Sequence, residues 1–288
     1  MSSTQALITK TRAFNPSTLT YGKPRLGSKG GKTIPVLMHG NKLVLQFPLI
    51  MTWGVNEWDS DDSDRKKYDL NLQFGERSKD SSTSEGYFYE SLKNFQEKVL
   101  NDAVTNSREW FGKTKMSREV AEALMYPILK HPKDKASGEP DLTRFPTIKL
   151  KIPCWDDVFK VELYDMNKKP LFTPTMDNPV GMPMELVQGR AHLKGLMECT
   201  GVWHAGGKFG VTWKLLQAQV RPPVRIQGFC IMDDSDDEDV ENEVAAEEAQ
   251  DPAFAAPTFS SDEEPATKTK KVVKKKVKKK VVRKKAVA

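Results

Sequence analysis

Cysteine, histidine and long apolar runs are scarce in this chain, and each scarcity excludes something. The 288 residues hold three cysteines, Cys154, Cys199 and Cys230, far apart and without a C-x-x-C pair. That argues against a disulfide framework or a structural zinc site and suits a reducing compartment. His131, His192 and His204 stand at no metal-ligand spacing from one another or from Cys199. No apolar run approaches the ~20 residues of a membrane helix, and the polar start MSSTQALITKTR has no signal-peptide core. The expectation is a soluble, intracellular protein with no membrane partner.

Signatures of catalysis are equally thin. GSKGGKT at residues 27–33 departs from the phosphate-loop pattern G-x-x-x-x-G-K-[ST], which needs glycine where Leu26 stands, and no strand precedes it. The pairs Asp61-Asp62 and Asp156-Asp157 have no histidine or further ligand in register, so chance adjacency is the plainer reading. No catalytic residue, metal site or cofactor is expected.

What the chain has is charge, unevenly placed. Residues 1–231 carry 33 Lys/Arg against 25 Asp/Glu, residues 232–265 none against 14, and residues 266–288 carry 12 against none. The overall +6 therefore covers a basic body, an acidic belt and a basic tip. A basic body points to an acidic partner, most often nucleic acid.

Periodicity divides the body. Residues 1–35 lack sustained periodicity and read as a basic, partly ordered arm. A strand at 43–51 contains Pro48, which suggests an edge or a bulge. A polar loop at 59–67 leads to alternating Tyr68, Leu70, Leu72 and Phe74, a half-buried strand. Phe88, Leu92, Phe95, Val99 and Ala103 recur at helical spacing. A shorter helix is predicted after the cap candidate Ser117, with Val120, Ala123 and Leu124 on one side and a stop near Tyr126-Pro127. A loop covers 128–146. Strands follow at 148–152, 159–164 and 170–172, a proline-bearing loop spans 173–187, and a closing hairpin runs from about 189 to 220. The ordered body, residues 36–231, reads as one α+β domain: a mostly antiparallel sheet of the OB type with two inserted helices. Periodicity alone does not separate a closed barrel from a sandwich.

The hairpin is the most informative stretch. LKGLMECTGVWHAGGKFGVTWKLLQAQV interleaves Trp203, Phe209 and Trp213 with Lys208 and Lys214, the combination that unpaired bases and phosphates require. Period two places Phe209 and Trp213 together and Lys214 opposite, so Trp213 also reads as a core residue. Trp203 lies at the lip of HAGGKFG, where Gly206, Gly207 and Gly210 would admit a nucleic-acid strand or simply make a turn. Lys149, Lys151, Lys160 and Lys194 project opposite apolar neighbours, either as a solvated sheet face or as a phosphate-tracking groove. Trp155, in CWDD, is a stacking platform or loop packing.

The tail from 233 onward is too acidic to bury a core and is expected to be disordered. It reads as a solubilising linker, or as a nucleic-acid mimic that occupies the basic groove. Phe254 and Phe259 suggest docking to replication proteins, and Ser235, Ser260 and Ser261 suit an acid-directed kinase. In KKVVKKKVKKKVVRKK, Val273, Val277 and Val281 would line a helix once phosphates neutralise the lysines. An import signal or a polyanion tether explains the same run.

GVWHAGGKFGVTWKLLQAQV resembles the closing strands of single-stranded-DNA-binding proteins of nucleocytoplasmic large DNA viruses, most like those of algal viruses. LVLQFPLIMTWGVNEW, KYDLNLQF, YFYESLKNFQEKVL, YPILKHPKDK, FPTIKLKIP and FKVELYD follow the same family in the same order, across roughly residues 37–220. The resemblance implies an OB-type core and sequence-tolerant, non-enzymatic binding of single strands in viral DNA replication, recombination or repair. By position it carries over Trp53, Trp155, Trp203, Lys208, Phe209, Trp213 and Lys214 as candidate DNA contacts. Location in the host nucleus, a cytoplasmic viral factory or the virion is compatible with it, as is a homo-oligomer. The rival reading is a virion or chromatin-like packaging protein that holds duplex DNA through its lysine tail.

Overall fold

The structure is a computed structural model and describes residues 7–27, 30–60, 63–112 and 115–224. The acidic belt, the lysine-rich tip, Cys230, Phe254, Phe259 and the three candidate phosphorylation serines lie outside the described residues. The architecture is mixed α+β, mostly strands with few helices.

Five strands organise it: β1 (Val44–Ser60), β2 (Ser63–Gln73), β3 (Thr147–Ile152), β4 (His192–Ala205) and β5 (Lys208–Arg221). β1 pairs antiparallel with β2, β2 with β3, β4 with β5, and β4 with β1. β5 runs parallel to β3, with Trp213 opposite Leu150 and Lys214 opposite Lys151. The circuit β1–β2–β3–β5–β4–β1 thus closes on itself as a small barrel, which leaves the ring without a free edge. Period two fills its interior. Leu45, Phe47, Leu70, Leu72, Ile148, Leu150, Leu193, Met197, Trp213 and Leu215 are all buried.

Between β2 and β3 lies α1 (Ser84–Thr105), whose Phe88, Leu92, Phe95, Val99 and Ala103 are buried as their spacing predicts. Thr83 caps it, its Oγ1 accepting from the Gly86 N–H at 2.9 Å. Phe95 meets the Trp213 ring edge-on at 5.6 Å, so the helix closes one end of the barrel core. Next come α2 (Ser107–Phe111), which periodicity did not reveal because it is five residues long, and α3 (Arg118–Leu124). Ser117 caps α3 as expected, but the buried side carries Ala121, while Val120 and Ala123 are exposed. The two-turn helix is oriented by Arg118, which reaches Glu97 on α1 and Glu122 on its own next turn.

Three further expectations are corrected. Over its described residues the N-terminal arm belongs to the body: Phe14 is buried against Phe95 at 6.0 Å, and the Tyr21 hydroxyl donates to Asp102 Oδ2 at 2.6 Å. Such isolated anchors leave no periodic trace. The segment predicted as one strand at 159–164 is two short pieces, Val158–Phe159 paired with Cys154–Trp155 and Glu162–Tyr164 beside β5. β1 continues well past residue 51, into a hairpin with β2 whose outer part is mostly charged or polar, apart from Trp58, and is held by pairs such as Lys66 with Glu57. Pro48 does sit at a bulge: β1 spends one residue more than β4 between the pairs Ile50–Leu193 and Phe47–Gly195.

Candidate nucleic-acid interface

Filling the barrel with one set of alternating residues turns the other set outward. Across β1, β2 and β3 the register aligns Asn56, Asp69 and Lys151, then Asn71 with Lys149, and Gln73 with Thr147. This outer face carries the chemistry.

A second bulge in β1 aims Trp53. Between Thr52–Leu72 and Val55–Leu70, β1 has one residue more than β2, and Gly54 absorbs the irregularity at φ +94°. Trp53 stands 55% exposed beside it. Its indole N–H donates to Gln73 Oε1 at 3.0 Å, while Gln73 Nε2 donates to the carbonyls of Phe74, Phe145 and Pro146 at 3.0, 3.1 and 3.3 Å. An indole nitrogen only donates, so the amide oxygen must face Trp53, and the carbonyls hold the other end. Gln73→Leu is therefore expected to weaken oligo-dT binding by about 2- to 12-fold, the worth of one hydrogen bond, and by less than removing Trp53 itself. A larger loss in a fluorescence titration would mean that Gln73 contacts the ligand directly.

Lys149 extends its Nζ to within 3.0 Å of the buried Asp69 carboxylate and 4.8 Å of the Trp58 ring. Asn56 donates to the other Asp69 oxygen at 3.3 Å. Asp69 thus offsets one lysine, whereas Lys151 makes no ion pair among the described residues. Surrounding protein and the Lys67 and Lys149 ammoniums push the Lys151 pKa down, with Asp69 opposing. Because its side chain still reaches solvent, like-charge crowding is the firmer cause, and it is relieved when an anion enters.

Trp203 and Tyr126 continue the face. Tyr126 lies on the short strand Met125–Tyr126, which runs parallel to the start of β5. The two rings are 6.5 Å apart, and both cover Gly210, where a Cβ would come within 3.0 Å of each residue. Gly210 is therefore needed for ring packing and is not open to an approaching strand. Gly206 and Gly207, at φ +56° and +76°, make the two-residue turn. Lys130 lies 5.7 Å from the Tyr126 ring centre, and the His131 ring nitrogen Nδ1 bonds the Arg144 carbonyl at 2.9 Å.

Two clefts run together over this surface. One, of about 910 Å³, reaches from Trp53 and Gln73 to Lys130, Arg144 and Phe145. The other, of about 260 Å³, lies between Trp203, Thr212 and Lys151. They share Tyr126, Pro127, Ile128 and Lys149, and no aspartate or glutamate lines either.

The structure therefore brings Trp53, Lys149, Lys151 and Trp203 to one groove. Phe209 and Trp213 are each 1% exposed and offer no face for stacking, contrary to the expectation of stacking contacts; Trp213 does form part of the wall of the smaller cleft, and Phe209 lines neither cleft. Phe209 packs on Phe111 at 5.0 Å, and inward parity on β5 dictates both positions. Lys214 is half-buried and paired with Glu198 at 3.1 Å. Lys208 is exposed at the β4–β5 turn, and Trp155, 61% exposed, stands on its own small hairpin outside both clefts. Lys160 and Lys194 line clefts elsewhere on the barrel, beside the outer residues of β4 and β5. Sequence reasoning missed Trp58, Tyr126, Lys130 and Arg144. Continuing period two along a strand ended too early would have found Trp58. Nothing local marks the others, which belong to a helix end and an irregular loop.

No family model and no curated protein matches the chain. Among solved structures, it is similar to a single-stranded DNA-binding protein from bacteriophage Enc34 in complex with ssDNA, at 11% identity and TM-score 0.39, over 72% of this chain and 98% of that one. It is also similar to gp2.5, a single-stranded DNA-binding protein encoded by bacteriophage T7, at 16% identity and TM-score 0.34, over 75% and 100%. Likenesses this distant assign neither a family nor a ligand to this chain.

Proposed function

We propose that this chain is a sequence-tolerant single-stranded-DNA-binding protein with an OB-type barrel, and that the groove described above holds the strand. One observation carries the reading: Trp53, Tyr126 and Trp203 line, together with Lys130, Arg144, Lys149 and Lys151, a continuous groove with no carboxylate in its lining, and the exposed Trp58 stands beside Lys149 outside it. Stacking on an aromatic face tolerates any base, and the cations track phosphates irrespective of sequence. The face across the second and third strands is also where an OB barrel binds oligonucleotides. On this reading the chain coats unpaired strands without catalysis, and its sequence resemblance points to replication, recombination or repair of a viral genome. The packaging alternative rests on the lysine tip alone and gives no account of the groove.

Tryptophan emission during titration with oligo-dT and then duplex DNA, at low and high salt, tests the proposal. The full chain and a chain ending at Met232 are both expected to be quenched by single strands, less so as salt rises. A shortened chain that neither quenches nor prefers single strands refutes it. Loss of duplex affinity on removing residues 266–288, with no quenching anywhere, favours packaging.

A further inference from the structure

Lys194 and Lys160 stand among cations that the groove does not use. A cleft of about 460 Å³ is lined by Lys10, Arg12, Arg77 and Lys194, and a neighbouring one of about 470 Å³ by Lys168 and again Lys194, with Gln46 common to both. The second adjoins a third, lined by Lys160, through Ile8, Leu196 and Gln217. None of these six cations makes an ion pair among the described residues. The carboxylates present are already engaged: Glu85 is buried and accepts the Gly75 N–H at 3.0 Å, and Glu162 accepts from the Tyr164 hydroxyl at 2.7 Å. Arg12 is held in place, its guanidinium 5.5 Å from the Tyr87 ring and donating to the Ser82 carbonyl.

This trough adjoins the groove. Gly75 lines the large front cleft and Glu85 lines the trough, so the hydrogen bond between them is a shared wall. The 3-10 turn Glu76–Lys79 continues that wall. Lys79 sits 4.9 Å from the Phe145 ring on the groove side, and Arg77 faces the trough. No aromatic residue lines the first of the trough's clefts and Tyr164, its hydroxyl held by Glu162, is the one aromatic lining the second, so the trough is built to grip a backbone rather than to stack bases.

We propose that a single strand leaving the groove crosses the Glu76–Lys79 turn and continues along Arg77, Arg12, Lys10 and Lys194, held there by its phosphates. The binding site then has a stacking half and a purely electrostatic half. This rests on the function proposed above. A polyanion is the fitting ligand because six cations without ion pairs outnumber the two carboxylates, Glu85 and Glu162, that line the same clefts, and nucleic acid is favoured over an acidic polypeptide because only the Gly75–Glu85 wall and the Glu76–Lys79 turn separate the trough from the groove.

The test compares the full chain with a Lys10→Gln, Arg77→Gln, Lys194→Gln triple variant, leaving Arg12 for its packing. Affinities for oligo-dT of about 6 and about 30 nucleotides, lengths that bracket the reach of one OB fold, are measured against salt. The long oligomer is expected to bind the variant more weakly, with the slope of log K against log salt reduced by about 2, since each lost phosphate contact removes about 0.7. The short oligomer and the tryptophan quench are expected to stay unchanged. Residues 266–288 are common to both proteins and cancel in the difference. Unchanged binding of the long oligomer, or equal loss for both lengths, overturns the proposal, as does a variant that loses only affinity for poly-L-glutamate. If the unaltered chain binds neither oligomer, it is the groove reading that has failed.

Discussion

Trp53→Ala is expected to weaken oligo-dT binding by about 5- to 150-fold, the 1–3 kcal/mol that one base stacked on an aromatic ring is worth, and to leave the thermal midpoint where it was. The second half of that expectation follows from position. Trp53 is 55% exposed, its neighbour Gly54 already accommodates the bulge, and among the described residues its side chain hydrogen-bonds to Gln73 alone. Removing it opens no cavity, and exposed substitutions of this kind stay within about 0.5 kcal/mol of stability. Trp53→Phe keeps a π-face and is expected to retain most of the affinity, though it loses the tether to Gln73. A calorimetric melt beside a fluorescence-polarisation titration with labelled oligo-dT separates the two quantities. Unchanged affinity in Trp53→Ala would remove Trp53 from the interface. A fall in both affinity and melting temperature would make its role structural.

How much of this was legible in the sequence depended on where each residue's constraint came from. Lys149, Lys151 and the buried Ile148, Leu150 and Ile152 are set by strand alternation, and alternation is visible in one dimension. The five helix positions from Phe88 to Ala103 follow from a 3.6-residue period in the same way. Tyr126, Lys130 and Arg144 come to the groove through a helix end, a two-residue strand and a loop whose turns depend on Asp134 and Asp141. Their positions are products of tertiary packing, which no local pattern encodes. Lys160 and Lys194 are a different case, since alternation put them outward correctly but could not say on which side of a closed barrel. An open sheet has one wet face; a barrel has an outer wall all the way round, and a residue's position along that wall depends on register and closure. Phe209 and Trp213 show the converse. Their composition suggested binding, while their parity on β5 already suggested core, and packing obeyed the parity.

That distinction makes Trp213 the sharpest test of stability. Trp213→Ala is expected to cost about 3–5 kcal/mol, the range for emptying a large aromatic site in a packed interior. The ring is 1% exposed, meets Phe95 of α1 edge-on at 5.6 Å, and sits on the strand that pairs with both β3 and β4. Its loss therefore loosens the helix and the barrel together, and chemical denaturation should show an earlier midpoint. Trp213→Phe is the informative partner. It keeps an aromatic ring against Phe95, and it removes an indole N–H that finds no acceptor among the described residues. An unsatisfied buried donor already costs about 1–3 kcal/mol, so the smaller ring's lost packing is partly offset and the net change should stay below about 1.5 kcal/mol, the cost of a tolerated core swap. Affinity for oligo-dT is then expected to match the unaltered chain, because Trp213 borders the smaller cleft but is 1% exposed and presents no ring face to a base. A Trp213→Phe protein that melts normally but binds as weakly as Trp53→Ala would contradict this placement and make Trp213 a contact after all.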